Sequence, residues 1–145
     1  MAGKYEKNII TDFRPEPDRP KFYGNEDRKK NMDDAVTRMI RLDEDVINGS
    51  FFVTSSWYWP QSTPTEFVGE SHTHPFDEVV AFFGTDADNP NDLCGEIEFW
   101  LGGEQYILTK SCMIFAPKEV EHCPLIVRRV DKPIFHFATG PGKYS

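Results

Sequence analysis

The sequence predicts an all-β, single-domain barrel of short antiparallel strands. Short runs rich in Val, Ile, Phe, Trp, Tyr and Thr recur along the chain, separated by Gly, Pro and Asp turns; this is the pattern of a sandwich or barrel. One stretch, Gly95 to Thr109, reads as a complete hairpin about Gly102-Gly103. Aromatic residues are 14% of the chain, with 12 Phe and 3 Trp, which suits a β-rich interior. At 145 residues the chain is one domain with room for a real core. It shows no internal repeat, so one barrel is expected rather than two.

Residues 1–34 carry little periodicity and read as an N-terminal arm, with the barrel over 35–145. Arg14 to Pro20 is turn-like or polyproline-like, and Asn25 to Asp34 is a mixed charge run. The arm either covers a pocket or, the preferred reading, straps over a partner subunit or the barrel exterior. Ala35 to Leu42 leans to strand, because Val36, Ile40 and Leu42 share one face with only Arg38 intruding. Asn48-Gly49 is a turn. Ser50 to Trp59 is rich in β-formers and ends at Pro60 and Pro64; its aromatics are expected to pack in the core, with a pocket lining as the alternative.

Glu78 to Phe83 reads as an apolar strand, and Thr85 to Asp92 as a solvated acidic loop without calcium-loop spacing. In the hairpin, a two-residue turn at Gly102-Gly103 pairs Leu101 with Glu104, Phe99 with Tyr106 and Ile97 with Leu108. The opposite face then carries Glu98, solvent-exposed by default. Ser111 to Ala116, Leu125 to Val130 and Ile134 to Ala138 complete the strands. Arg128 and Arg129 flank opposite faces, so at most one reaches a ligand. His136 shares a face with Ile134 and Ala138 and reads first as a hydrogen-bonded structural histidine, with a pocket position as the alternative.

The chemistry concentrates in Gly69-Glu-Ser-His-Thr-His-Pro-Phe-Asp-Glu78. His72 and His74 are two apart, so an extended backbone sends both rings to one face. Glu78 keeps that parity, and a short turn into a strand aims its carboxylate back at the pair. A fourth ligand is expected at His122, in Pro117-Lys-Glu-Val-Glu-His122. Of the chain's 4 histidines, these segments hold all but His136. Imidazoles with a carboxylate suit Fe, Mn, Co, Ni or Zn.

At these residues the chain resembles the cupin superfamily, over about residues 50–139. His72-x-His74-x3-Glu78 fits the ligand core of the first cupin motif, and Pro117-x4-His122 fits the second. Glu66 stands in place of the first motif's leading glycine, and Gly84 closes that motif one residue early. Ser111, Glu119 and Ile126 replace the second motif's glycines and asparagine. The resemblance implies a jelly-roll barrel with one divalent transition metal on His72, His74, Glu78 and His122. It also implies a homodimer.

Such a site leaves roughly two of six octahedral positions open. The expected activity is that of a metal-dependent enzyme on a small oxygenated organic molecule. It would be a dioxygenase, or an isomerase, epimerase or lyase working through a metal-stabilised enolate. Glu98, His136 and Arg128 are the candidates to act beside the metal. The alternative is a cupin that binds or senses a small molecule without turnover.

The net charge of −8 argues against nucleic acid and an anionic membrane surface as partners. Cys94, Cys112 and Cys123 lack Cys-x-x-Cys spacing, so a disulfide framework is not expected. Cys123, next to His122, would point away from the metal in an extended segment. No apolar leader opens the chain and no run is long enough to span a bilayer; a cytoplasmic location is expected.

Overall fold

A computed structural model describes residues 3–12 and 35–141. Among the described residues, apart from a 3-10 turn at Glu6–Asn8 and a helical residue at Ala35, the regular structure is β: β1 Val36–Arg38, β2 Phe52–Tyr58, β3 Thr65–Val68, β4 Glu78–Phe83, β5 Asp92–Leu101, β6 Glu104–Lys110, β7 Cys112–Ala116, β8 His122–Val130 and β9 Ile134–Gly140. One sheet has the order β1-β2-β9-β4-β7 and the other β3-β8-β5-β6. Every pairing is antiparallel, and the two sheets form a jelly roll. The part of the expected arm over residues 13–34 lies outside the described residues.

Alternation along the strands builds the interior. In the five-stranded sheet, Phe52, Tyr58, Val80, Phe82 and Ile134 turn inward; the other sheet supplies Phe67, Ile97, Phe99, Leu125 and Val127. Each fully buried side chain of this kind contributes roughly 1.5–3 kcal/mol of transfer free energy. The aromatics of β2 divide accordingly. Phe52 and Tyr58 are core, whereas Phe51 and Trp59 are exposed, and Trp57 stacks on Trp59 and leans on Phe135 on the outer face.

The hairpin takes the expected register, Leu101↔Glu104, Phe99↔Tyr106 and Ile97↔Leu108. Gly102 and Gly103 both have positive φ, 60° and 79°, as a turn matching the strand twist requires. Gly84 is needed for a different reason: a Cβ there would lie 2.0 Å from the Asp92 carbonyl oxygen. Several strands differ from the sequence reading: β1 is shorter than the expected Ala35 to Leu42, β5 starts at Asp92 rather than Gly95, and β3 and β8 depart as follows. β3 is only four residues long, squeezed between Pro64 and Gly69, too short to show a period. β8 begins at His122 rather than Leu125, because a bulge near Cys123 and Pro124 lets the ladder run on to the histidine.

Candidate metal centre

Two segments far apart in sequence are sewn together at one end of the sandwich. His72 and His122 form an isolated antiparallel bridge, each N–H donating to the other's carbonyl at 3.0 Å. The Glu119 N–H donates to the His74 carbonyl at 2.8 Å, and the Lys118 N–H to Asp77 Oδ1 at 2.9 Å. The turn holding Lys118 and Glu119 needs a positive φ, and Glu119 supplies it at 64° without being glycine. The second segment thus keeps a left-handed turn at a strain cost of about 1–2 kcal/mol.

These contacts gather the rings. The ligand atoms of His72, His74 and His122 all lie within 4.8 Å of one another. The centroids are 4.7 Å apart for His72–His74, 4.4 Å for His72–His122 and 5.1 Å for His74–His122. His74 is further fixed by stacking on Phe76, 4.7 Å away. His72 Nδ1 faces the Glu70 carbonyl at 3.0 Å, and His122 Nδ1 faces the Val120 carbonyl at 3.1 Å. A carbonyl only accepts, so each Nδ1 carries a proton; His72 Nε2 then keeps its lone pair, while His122 Nε2 faces the Glu78 carboxylate. This is the orienting contact that ligating histidines need.

Glu78, the first residue of β4, is buried beside them, with Oε1 3.3 Å from His122 Nε2. Its other oxygen, Oε2, is buried and meets no hydrogen-bond donor among the described residues, a costly state for a carboxylate unless a cation relieves it. Burial pushes the His72 pKa down to about 4, helped by the neighbouring His122 and His74 and opposed by the bond to Glu70. Its ring is therefore neutral near pH 7. Burial also opposes charge on His122, but the Glu78 carboxylate and the Val120 carbonyl outweigh it and raise that pKa. Three imidazoles beside a buried carboxylate fit a divalent transition metal by donor chemistry. Both histidine-bearing segments meet at the mouth of a two-sheet antiparallel jelly roll.

The fold is a jelly-roll barrel, the architecture that the cupin resemblance implies. It is the chain's own strand order and the meeting of these segments that make it so. Among solved structures the chain is similar to an RmlC-like cupin from Shewanella frigidimarina, at 18% identity over 75% of this chain and 78% of that one, TM-score 0.48. It is similar to a predicted oxalate decarboxylase from Thermotoga maritima, at 12% identity over 74% and 79%, TM-score 0.47. A cupin protein from Bacteroides fragilis gives 18% identity over 72% and 78%, TM-score 0.44. No family model matches the chain, and no curated protein does.

Behind the histidines a cavity of about 30 Å³ runs into the barrel, room for roughly two or three water-sized positions. His136 lines it. The ring is buried between Tyr58 and Phe82, and its Nδ1 donates to the Ala81 carbonyl at 3.1 Å. Both sequence readings of His136 therefore hold, structural bond and pocket position together. Glu98 turns outward, as its default reading had it, and the candidate roles of Glu98 and Arg128 beside the metal are corrected. Ile97, Phe99 and Val127 take the inward positions of β5 and β8, so Glu98 and Arg128 face outward and pair with each other at 3.3 Å. Glu98 also accepts from Trp100 Nε1 at 2.8 Å, and Arg128 reaches Glu96 at 3.2 Å.

Cys123 is a second correction. It does not turn away; with φ of 74° at the β8 bulge it is buried and lines the cavity. Burial, and then the charge of Glu78, pushes its thiol well above the ordinary range, which makes it a packing group rather than a nucleophile. The sequence reading also missed Arg38 as a cavity residue. Its signal was visible: it is the one charge on the otherwise apolar face of Val36, Ile40 and Leu42.

Proposed function

We propose that this chain is a metal-dependent enzyme acting on a small oxygenated organic molecule. In this reading His72, His74 and His122 hold one divalent transition metal and Glu78 completes the ligand set. One observation carries the reading: one ring nitrogen from each of three histidines, two of the rings oriented by carbonyl contacts at Nδ1, converge beside a buried carboxylate. The metal, Fe, Mn, Ni, Co or Zn, supplies Lewis-acid polarisation of a bound oxygen.

The chain's own residues do the rest. Val80, Phe99 and Leu125 give the cavity its apolar walls. His136, with Nδ1 committed to Ala81, leaves Nε2 as a hydrogen-bond acceptor; burial first, and then Arg38, holds its pKa down near 4 and keeps the ring neutral. Elemental analysis of protein purified without added metal tests the reading. Near-stoichiometric metal is expected, largely lost in His72→Ala and His122→Ala while both stay folded. Full occupancy in both variants overturns the assignment. Iron with oxygen consumption selects a dioxygenase; anaerobic turnover with Mn, Ni, Zn or Co selects an isomerase or lyase.

Binding without turnover is the second reading, favoured by the small size of the cavity. It predicts tight ligand retention and no product. We infer further that the chain works as a homodimer. The outer face of the five-stranded sheet carries Trp57, Phe135 and Phe137 in contact, and Met113 and Phe115 are 64% and 58% exposed beyond them. Cys94, Cys112 and Cys123 are free thiols, which supports a reducing compartment such as the cytoplasm. No described helix is long and apolar enough to cross a membrane.

A further inference from the structure

We propose that Ser56 and His136, on one wall of the cavity, seat the hydroxyl group of a small alcohol or hydroxyalkyl ligand. That this ligand is also the substrate rests on the function proposed above; the hydroxyl contact itself does not. Register places the wall. Ser56 pairs with His136 and His136 with Phe82, while Thr54 pairs with Ala138 and Ala138 with Val80. These are two successive inward rows of the five-stranded sheet. Glu78 lies two residues before Val80 and four before Phe82 on β4, so the rows stand about 7 Å and 13 Å of strand rise behind that carboxylate. Ser56 and His136 therefore line the inner end of the cavity that His72 and Glu78 line at its mouth, with the Thr54 hydroxyl on the same side between them.

Both groups are buried with a polar atom to spare. Ser56 and His136 are 3% and 4% exposed. His136 Nδ1 donates to the Ala81 carbonyl, so Nε2 carries a lone pair, and burial keeps the ring neutral near pH 7. Among the described residues neither that Nε2 nor Ser56 Oγ has a hydrogen-bond partner. Arg38, next to Ser56 in the same row, is already engaged, which leaves the hydroxyl and the imidazole to meet a ligand. Polar atoms held in an interior without partners are costly unless something that enters the cavity satisfies them. A hydroxyl does so: its O–H donates to Nε2, and its oxygen accepts from Ser56 Oγ–H. A carbonyl or carboxylate oxygen would set lone pair against lone pair at Nε2. The four-stranded sheet supplies the opposite wall, which is apolar at Phe67, Phe99 and Leu125. The ligand therefore carries hydrocarbon on the side away from its hydroxyl. The cavity volume of about 30 Å³ limits it to a few non-hydrogen atoms.

The test uses the full chain, labelled with nitrogen-15 at histidine and supplied with Zn(II), at neutral pH. Propan-2-ol and acetone share a carbon skeleton, and only the first carries an O–H; they are the probes. The readout is the His136 Nε2 resonance, assigned by its loss in His136→Gln. Propan-2-ol is expected to move it saturably in the millimolar range, as suits so small a molecule, and acetone to leave it in place. In Ser56→Ala the affinity for propan-2-ol should fall about three- to tenfold. A resonance that propan-2-ol does not move, or that acetone moves as far, overturns the proposal and leaves this wall as a seat for ordered water. A folded Ser56→Ala that binds propan-2-ol as tightly as wild type overturns it too.

Zinc retained by the same samples is measured separately, which keeps this contact apart from the metal assignment. Loss of zinc with an intact propan-2-ol shift sinks the metal reading and upholds the hydroxyl contact. Retention of zinc without the shift does the reverse.

Discussion

His136 gives the most direct link between a single buried group and the stability of the whole barrel. Burial, more than the nearby Arg38, lowers its pKa from 6.5 to about 4. In the unfolded chain the ring titrates near 6.5, so between these values the unfolded state binds the extra proton. Folding stability from this group is therefore complete above pH 6.5 and drains away as the pH falls towards 4. The gap of some two and a half units corresponds to about 3 kcal/mol in full, of which about 2 kcal/mol is gone by pH 5. Urea unfolding of the metal-free protein at a series of pH values from 7.5 to 4.5 measures it. His136→Gln, which keeps an amide donor for the Ala81 carbonyl, is the control. The other buried histidines titrate in both proteins, so the informative quantity is the difference in slope. If wild type and His136→Gln lose stability in parallel over this range, the ring is not held neutral and the reasoning fails.

Glu119→Gly removes a side chain from a φ of 64°; relief of about 1–2 kcal/mol, offset by glycine's extra chain entropy, should leave the variant about 0.5–1 kcal/mol more stable in urea unfolding. A loss of stability would mean that Glu119 makes a favourable contact of its own. Phe115→Glu and Met113→Glu place charge on the outer apolar face and should turn a dimer into a folded monomer by sedimentation. A wild type that already sediments as a monomer at micromolar concentration removes the dimer proposal.

Periodicity and turn chemistry carried most of the fold. The paired register of β5 and β6 follows from two glycines and an alternation, and β4 was bounded correctly because its apolar run ends at Gly84. What escaped was whatever alternation does not govern. β3 is too short for a period to show. At Cys123 and Pro124 the bulge inserts one extra residue opposite Trp100, which changes the parity of the strand and brings two consecutive residues, His122 and Cys123, into the interior. Sequence spacing alone would send one of them out. The histidines themselves were legible because their segment needs no long-range information to place both rings on one side. Glu98, outward by default in the sequence reading, stays outward, and its alternative role beside the metal falls because a hairpin read alone does not reveal which of its faces meets the other sheet; Arg128, on β8, pairs with it there. Arg38 was seen as an intruder on an apolar face, but only the pairing of β1 with β2 shows that this face looks into the cavity.

The candidate centre also sits at a mechanical junction. Glu78 opens β4 in the five-stranded sheet, His122 opens β8 in the four-stranded sheet, and His72 and His74 lie on the connection from β3 to β4 that passes between the sheets. At the inner part of the barrel, packing of Tyr58, Phe67 and Ile97 joins the two sheets. At the mouth, the described cross-links are hydrogen bonds and a cluster of polar groups, imidazole rings with centroids 4.4 to 5.1 Å apart and a carboxylate oxygen that meets no donor among the described residues. Such a cluster is poor packing on its own terms, since a buried carboxylate oxygen is stabilised only by a donor or a cation. Placing the least favourable polar group where the sheets are least held by apolar contacts makes sense if a cation binds there. It would satisfy the carboxylate and clamp the sheets in one event, so that affinity for the metal and rigidity of the cavity mouth are the same free energy viewed from two sides.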